Sequence, residues 1–182
     1  VAAALGATRV VDWPEVARGR AAAFVITNAE SSALHLPDLK TRAQDFEPLS
    51  RDRFLAGALL PAAWLVQAQR VRRWYARQAA ATFADVDVLI APATPCAAPA
   101  IGTEWLEING QRLPARASLG LLTQPVSCIG LPVCAVPVWG VHASLPVGVQ
   151  LIAAPWREDR VLAVAAALEA AGVIQAPVAA LG

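Results

Sequence analysis

The side chains able to carry out hydrolysis are few and scattered. Cleaving an amide or ester needs an activated nucleophile, a base and donors for the oxyanion. Ser31 and Ser32 offer adjacent hydroxyls. No glycines surround them, and the local pattern places them inside a helix, where backbone amides cannot turn toward an oxyanion. Packing is the reading they support. There is no Gly-x-Ser-x-Gly elbow. Lys40, the only lysine, stands in a polar stretch as a solvated cation. His35 and His142 have no cysteine or acid at ligand spacing, so no metal is expected. Glycine-rich phosphate loops are absent, and no cofactor is expected. Cys96, Cys128 and Cys134 are odd in number and form no Cys-x-x-Cys pair, as suits small thiols in a reducing compartment. Arg70, Arg73 and Arg77 recur at helical spacing. They form either a solvated face or an anion-facing stripe, in which a guanidinium meets a carboxylate. No catalytic residue is assigned.

The elements that must position these groups follow from pattern and punctuation. Residues 7–12 read as a strand. Pro14 suits the first turn of a helix running to about His35. Residues 36–48 are polar, proline-bounded and loop-like. Ser50 is placed as the cap of a short helix ending near Gly57. A long helix then runs from Pro61 to about Phe83, with Trp64, Ala68, Val71 and Tyr75 on one face and the arginines opposite. Residues 85–92 form an apolar strand. Asn109-Gly110, between apolar residues, signals a hairpin. Strands follow near 133–138 and 147–153. Residues 157–171 form a helix with Glu158 and Asp159 in its first turn and Gly172 as its stop. Helices and strands alternate, which predicts an α/β class with a mixed β-sheet flanked by helices.

Composition narrows the function classes. Of 182 residues, 57% are apolar and only 16% charged, with a net charge of +1. No nucleic-acid partner is indicated. From Ala117 to Trp156, forty residues, there is no Asp, Glu, Lys or Arg. Five prolines and four glycines interrupt that run, so no membrane span is expected. Buried strands between tight turns are the better reading. The start shows no signal-peptide pattern. With no methionine anywhere and an opening like the end of a helix, residues 1–182 are expected to be part of one larger domain. In isolation such a chain should expose apolar surface and strand edges, an aggregation hazard.

Several stretches carry a resemblance. "DVDVLIAPATPCAAPAIG" (85–102), "LLTQPVSCIGLPVCAVPV" (121–138) and "LPVGVQLIAAPWRED" (145–159) are similar to the C-terminal half of the amidase-signature family. "ITNAESSALHLPDLKTR" (26–42) and "RDRFLAGALL" (51–60) resemble that family's Glu-Ala-Ser helix and its Arg-Arg-x-x-x-Gly segment. The order is the family's order across nearly the whole chain. Within it, residues 22–42 and 59–75 look most like the 1-carboxybiuret hydrolase subfamily, which acts late in s-triazine breakdown.

The resemblance implies the C-terminal portion of the amidase-signature fold, incomplete without an N-terminal half. It also implies a Ser–cis-Ser–Lys acyl-enzyme mechanism whose three working residues lie in that half. Here the expectation is pocket wall: Phe24, Glu30 and Thr123 toward substrate, with Pro92, Pro125, Gly130, Pro132 and Gly148 shaping turns. Ser127 stands where many relatives carry Asn. Gly120 stands where glutamine-using relatives carry an acid for the substrate's amino group. That argues for a substrate without a cationic amine, such as a carboxylated urea, whose carboxylate would take Arg73 or Arg70. The thiols and the lack of a signal-peptide pattern suit a cytoplasmic setting, and the resemblance further implies a small helical partner subunit. Three readings compete with this one: a stand-alone binding or assembly module on the same half-fold, part of an amidotransferase-like amidase, and an unrelated α/β enzyme.

Overall fold

The computed structural model describes residues 1–142 and 145–178, with the side chains of residues 141 and 142 outside that description. The histidine at 142, expected to bind no metal, therefore lies outside the described residues as far as its imidazole is concerned. The chain divides into two compact units, Pro14–Gln78 and Val1–Trp13 together with Ala79–Gly182.

The first unit is helical. It contains α1 (Val16–Arg42), α2 (Pro48–Ala58) and most of α3 (Ala62–Thr82). Ala22 and Ile26 of α1 pack with Ala68 of α3, and Val25, Leu65 and Val71 close around them. The stripe expected on α3 is thus buried at Ala68 and Tyr75, while Trp64 at its start stays exposed. Two glycines set how closely the helices approach. A Cβ on Gly19 would overlap the ring of Tyr75, which is fully buried. A Cβ on Gly57 would overlap the backbone carbonyl of Asn28. Ser32 is buried beside Gly57, so its role is packing.

Three expectations fail in this part of the chain. Residues 36–42, expected as loop, continue α1 straight through Pro37. Proline removes one helical N–H and crowds the carbonyl four residues back. Here Leu39 is buried, Arg42 pairs with Asp38 at 3.1 Å, and the Thr41 hydroxyl donates to the Pro37 carbonyl at 3.3 Å. Packing and last-turn bonds outweigh the local penalty. Second, Ser50 does not cap α2. Glu47 does, accepting from the backbone N–H of Leu49 and Ser50 at 3.2 and 2.8 Å, with Pro48 in the first position where no N–H is needed. Third, residues 7–12 form no strand. They run beside a sheet edge without joining it, and Val10 is almost wholly exposed. Arg9 and Asp85 hold them by a surface ion pair at 3.7 Å.

The second unit is built on a three-stranded sheet. β1 (Val88–Pro92), β4 (Val133–His142) and β5 (Leu145–Ala153) lie in the order β1-β5-β4, both pairings antiparallel. A separate hairpin joins β2 (Trp105–Ile108) to β3 (Gln111–Pro114). Its turn residues Asn109 and Gly110 both have positive φ, 51° and 73°, as the expected two-residue turn demands. Short helices α4 (Ala115–Ser118) and α5 (Gln124–Cys128) follow. Finally α6 (Glu158–Ala170) covers the sheet, with Val161 and Leu168 against Val136, Leu151 and Ala153. The charge-free run is therefore mostly α5, β4 and β5, and Leu151, Ile152 and Ala153 are fully buried. No helix among the described residues is long and apolar enough to cross a membrane. The fold is α/β, a sheet flanked by helices.

Candidate functional site

In the sheet-bearing unit the side chain that organises the site is Gln150. It sits in the second half of β5, opposite Ala91 of β1, and is 2% exposed. Its Nε2 donates to the carbonyl of Pro92 at 2.9 Å and to that of Leu122 at 3.1 Å. Both acceptors are carbonyls, which cannot donate, so the amide has only one workable orientation. Its Oε1 is buried and has no hydrogen-bond partner among the described residues. Beside it, Ala93 N donates to Gly148 O at 2.8 Å. A Cβ on Gly148 would stand only 3.1 Å from the Ala93 methyl, so glycine permits this close approach.

Thr123 follows Leu122 directly and precedes α5. It is half-buried. Its hydroxyl donates to the Gly120 carbonyl at 3.5 Å, and its own carbonyl accepts from Val126 and Ser127 N–H at 3.1 and 2.9 Å. Pro125 occupies the first turn of α5, where its missing N–H costs nothing. The Leu122–Thr123 step is thus held on one side by a buried amide and on the other by a helix start.

In the helical unit the Arg53 guanidinium lies 5.2 Å above the ring of Phe24, which is half exposed. The same guanidinium donates to Asn28 Oδ1 at 3.3 Å, and Asn28 is buried. Glu30 is exposed on α1. Arg70 and Arg73 are exposed on α3. With Arg77 they line a shallow groove of about 540 Å³ that also includes Leu65, Val66 and Trp74. Neither Arg70 nor Arg73 makes an ion pair with a described residue.

Of the five residues singled out from the sequence, Phe24, Glu30, Arg70 and Arg73 belong to the helical unit, where the two arginines share one groove. Thr123 belongs to the other unit. Gln150 and Arg53 were missed. Gln150 left a signal, because it is the lone amide within "LPVGVQLIAAP", and a polar side chain there must be satisfied internally. Arg53 left one too, as the arginine four residues before Gly57 in "RDRFLAGALL", but its ties to Asn28 and Phe24 lie in another helix. Among the described residues no group of His, Cys, Asp and Glu could hold a metal, and Cys96, Cys128 and Cys134 form no disulfide. The resolved charge perturbations lie elsewhere. Asp159 is held below the usual carboxylate range by a hydrogen bond from Arg157, whose own pKa rises in return.

The sequence profile of the amidase family matches residues 14–162. The chain belongs to the amidase family. It is 58% identical over 170 residues to AtzE, the 1-carboxybiuret hydrolase subunit of Pseudomonas sp. (strain ADP), an alignment covering 93% of this chain and 37% of that protein. A solved, inhibitor-bound s-triazine catabolic enzyme from a vestigial protein complex superposes with a TM-score of 0.92 at 56% identity, over 97% of this chain and 39% of that one. The fatty acid amide hydrolase of Medicago truncatula is 33% identical over 159 residues, 86% of this chain and 26% of its own length. The amidase chain described here thus spans well under half the length of these relatives. Its kinship with the 1-carboxybiuret hydrolases agrees with the resemblance carried by its motifs.

Proposed function

We propose that these residues form the C-terminal wall and scaffold of an amidohydrolase that cleaves C–N bonds in a small carboxylated urea such as 1-carboxybiuret. The observation that carries this reading is the pair Arg70 and Arg73. Both are exposed in one groove, and neither is neutralised by a carboxylate of the described chain. A guanidinium takes a carboxylate through two parallel hydrogen bonds, so either residue can hold the anionic end of such a substrate. Gly120 supports the same substrate class. An acid there would pair with a cationic amine, whereas glycine brings no charge. Even a Cβ at 120 would press on Gln124 at 3.3 Å. The 58% identity to a 1-carboxybiuret hydrolase subunit supports the reading further.

In this scheme the nucleophile, the bridging serine and the lysine come from polypeptide beyond these residues, which alone would be inert. The nucleophilic serine attacks the carbonyl carbon, ammonia or an amine leaves, and water releases the acid from the acyl-enzyme. Phe24, Glu30 and Thr123 are each assigned to substrate contact in this scheme, and a small helical partner subunit completes the working enzyme, which acts in the cytoplasm. The test is Arg73→Ala, and separately Arg70→Ala, in the full-length enzyme. KM for 1-carboxybiuret should rise about tenfold or more in at least one variant, with little change for the neutral analogue biuret. Equal losses on both substrates would refute the carboxylate assignment.

A further inference from the structure

Gln150 does more than fill the sheet. Three facts meet at this side chain. It is 2% exposed. Both N–H bonds of its amide are committed to carbonyls far apart in the chain, Pro92 and Leu122. And its Oε1 is buried without a donor among the described residues. A buried acceptor left unmatched is a cost that an apolar side chain of similar size would avoid. What the amide adds beyond an apolar side chain of similar size is its pair of Nε2 bonds. Its two bonds fasten the step before Thr123 to the end of β1, a junction that the ladder pairings leave untied.

We propose that Gln150 is a positioning residue: it pins the Leu122–Thr123 segment to the Pro92 end of β1 and thereby holds Thr123 at the substrate wall. This rests on the reading that Thr123 faces substrate, but the clamp itself is a property of the chain. The geometry makes a sharp demand on substitutes. Leucine abolishes both bonds. Glutamate sets a carboxylate against two carbonyl oxygens, and only its protonated form can donate, to one of them. Burial and those facing oxygens would raise such a carboxyl's pKa.

The experiment compares full-length wild type with Gln150→Leu and Gln150→Glu by hydrogen–deuterium exchange and by steady-state kinetics. Exchange in Gln150→Leu should quicken about tenfold or more in peptides spanning Gly120–Cys128 and Pro92–Cys96, and stay unchanged in α6 and in the helical unit. Unchanged exchange at the two clamp segments, or loosening spread evenly over the protein, overturns the proposal. On whichever amide the wild type hydrolyses, kcat/KM should fall about tenfold. For Gln150→Glu, the deficit against wild type should shrink as pH is lowered, as the carboxyl gains a proton and with it one of the two bonds. Should 1-carboxybiuret prove not to be a substrate, the exchange result still stands or falls alone, so the two readings fail separately.

Discussion

The tightest packing constraint in the helical unit lies at Gly57, and it makes a quantitative prediction. A Cβ added there overlaps the Asn28 carbonyl oxygen, lies 2.7 Å from the carbonyl carbon and 3.0 Å from the Ser32 Cβ. The first two are backbone atoms inside α1, so no rotamer change relieves them. Gly57→Ala must therefore push α2 away from α1. Overpacking of this kind costs about 1–3 kcal/mol. Replacing glycine by alanine in a helix returns up to about 1 kcal/mol, and less here because Gly57 is the penultimate residue of α2. A net loss of about 0.5–2.5 kcal/mol follows, which lowers Tm. The control is Ala56→Gly, one residue away and exposed, which should lose about 0.5–1 kcal/mol through backbone entropy alone. Thermal melts of the full-length protein and its two variants measure both effects. Because Arg53 sits on α2 and is tied to Asn28 and Phe24, Gly57→Ala should also disturb binding more than Ala56→Gly does. A Gly57→Ala protein as stable as wild type, or more so, would refute the backbone-contact argument.

Glu47→Ala removes the acceptor for two N–H groups at the start of α2. It should cost about 1 kcal/mol in a denaturant titration. Asp159 supplies a pH signature. Its carboxyl is held below the ordinary range by Arg157, so its share of stability is present above the unfolded pKa and disappears as pH falls through the folded one. The Tm gap between wild type and Asp159→Asn should therefore close as pH is lowered through the carboxylate range, and added salt should narrow it at neutral pH because the pair lies at the surface.

Where the sequence could be read, strong local physics agreed with the tertiary solution. Asn109-Gly110 specified its own turn through two positive φ values, and Gly172 ended α6 with φ 68°. Glu158 and Asp159 marked the first turn of that helix, and α3 was legible from its apolar spacing. Where it could not, a long-range contact overruled a local preference. Pro37 and the polar residues around it read as loop because nothing local shows that Leu39 will be buried. Residues 7–12 read as a strand, yet a strand exists only if a neighbour accepts its ladder, and β1 does not. The site was half legible for the same reason. The arginine spacing declared a charged face and the Thr-x-Pro stretch declared a turn. The Gln150 bonds span 58 and 28 positions of chain, a separation that no local pattern encodes.

The two groups of residues proposed here, one in each unit, work through different physics, and that decides how each tolerates change. Arg70 and Arg73 act from solvent, where an ion pair is screened within about 8–10 Å at ordinary salt and a flexible side chain can reach its target from several backbone positions. Such residues tune affinity and forgive small displacements. Gln150 acts from a dry interior, where two neutral hydrogen bonds fix one geometry and an amide cannot be exchanged for an acid or an alkane without orphaning two carbonyls. Specificity for an anion can therefore shift by moving an arginine one turn along α3, with the sheet untouched. The Leu122–Thr123 step cannot shift so cheaply, because a buried amide ties it to the end of β1.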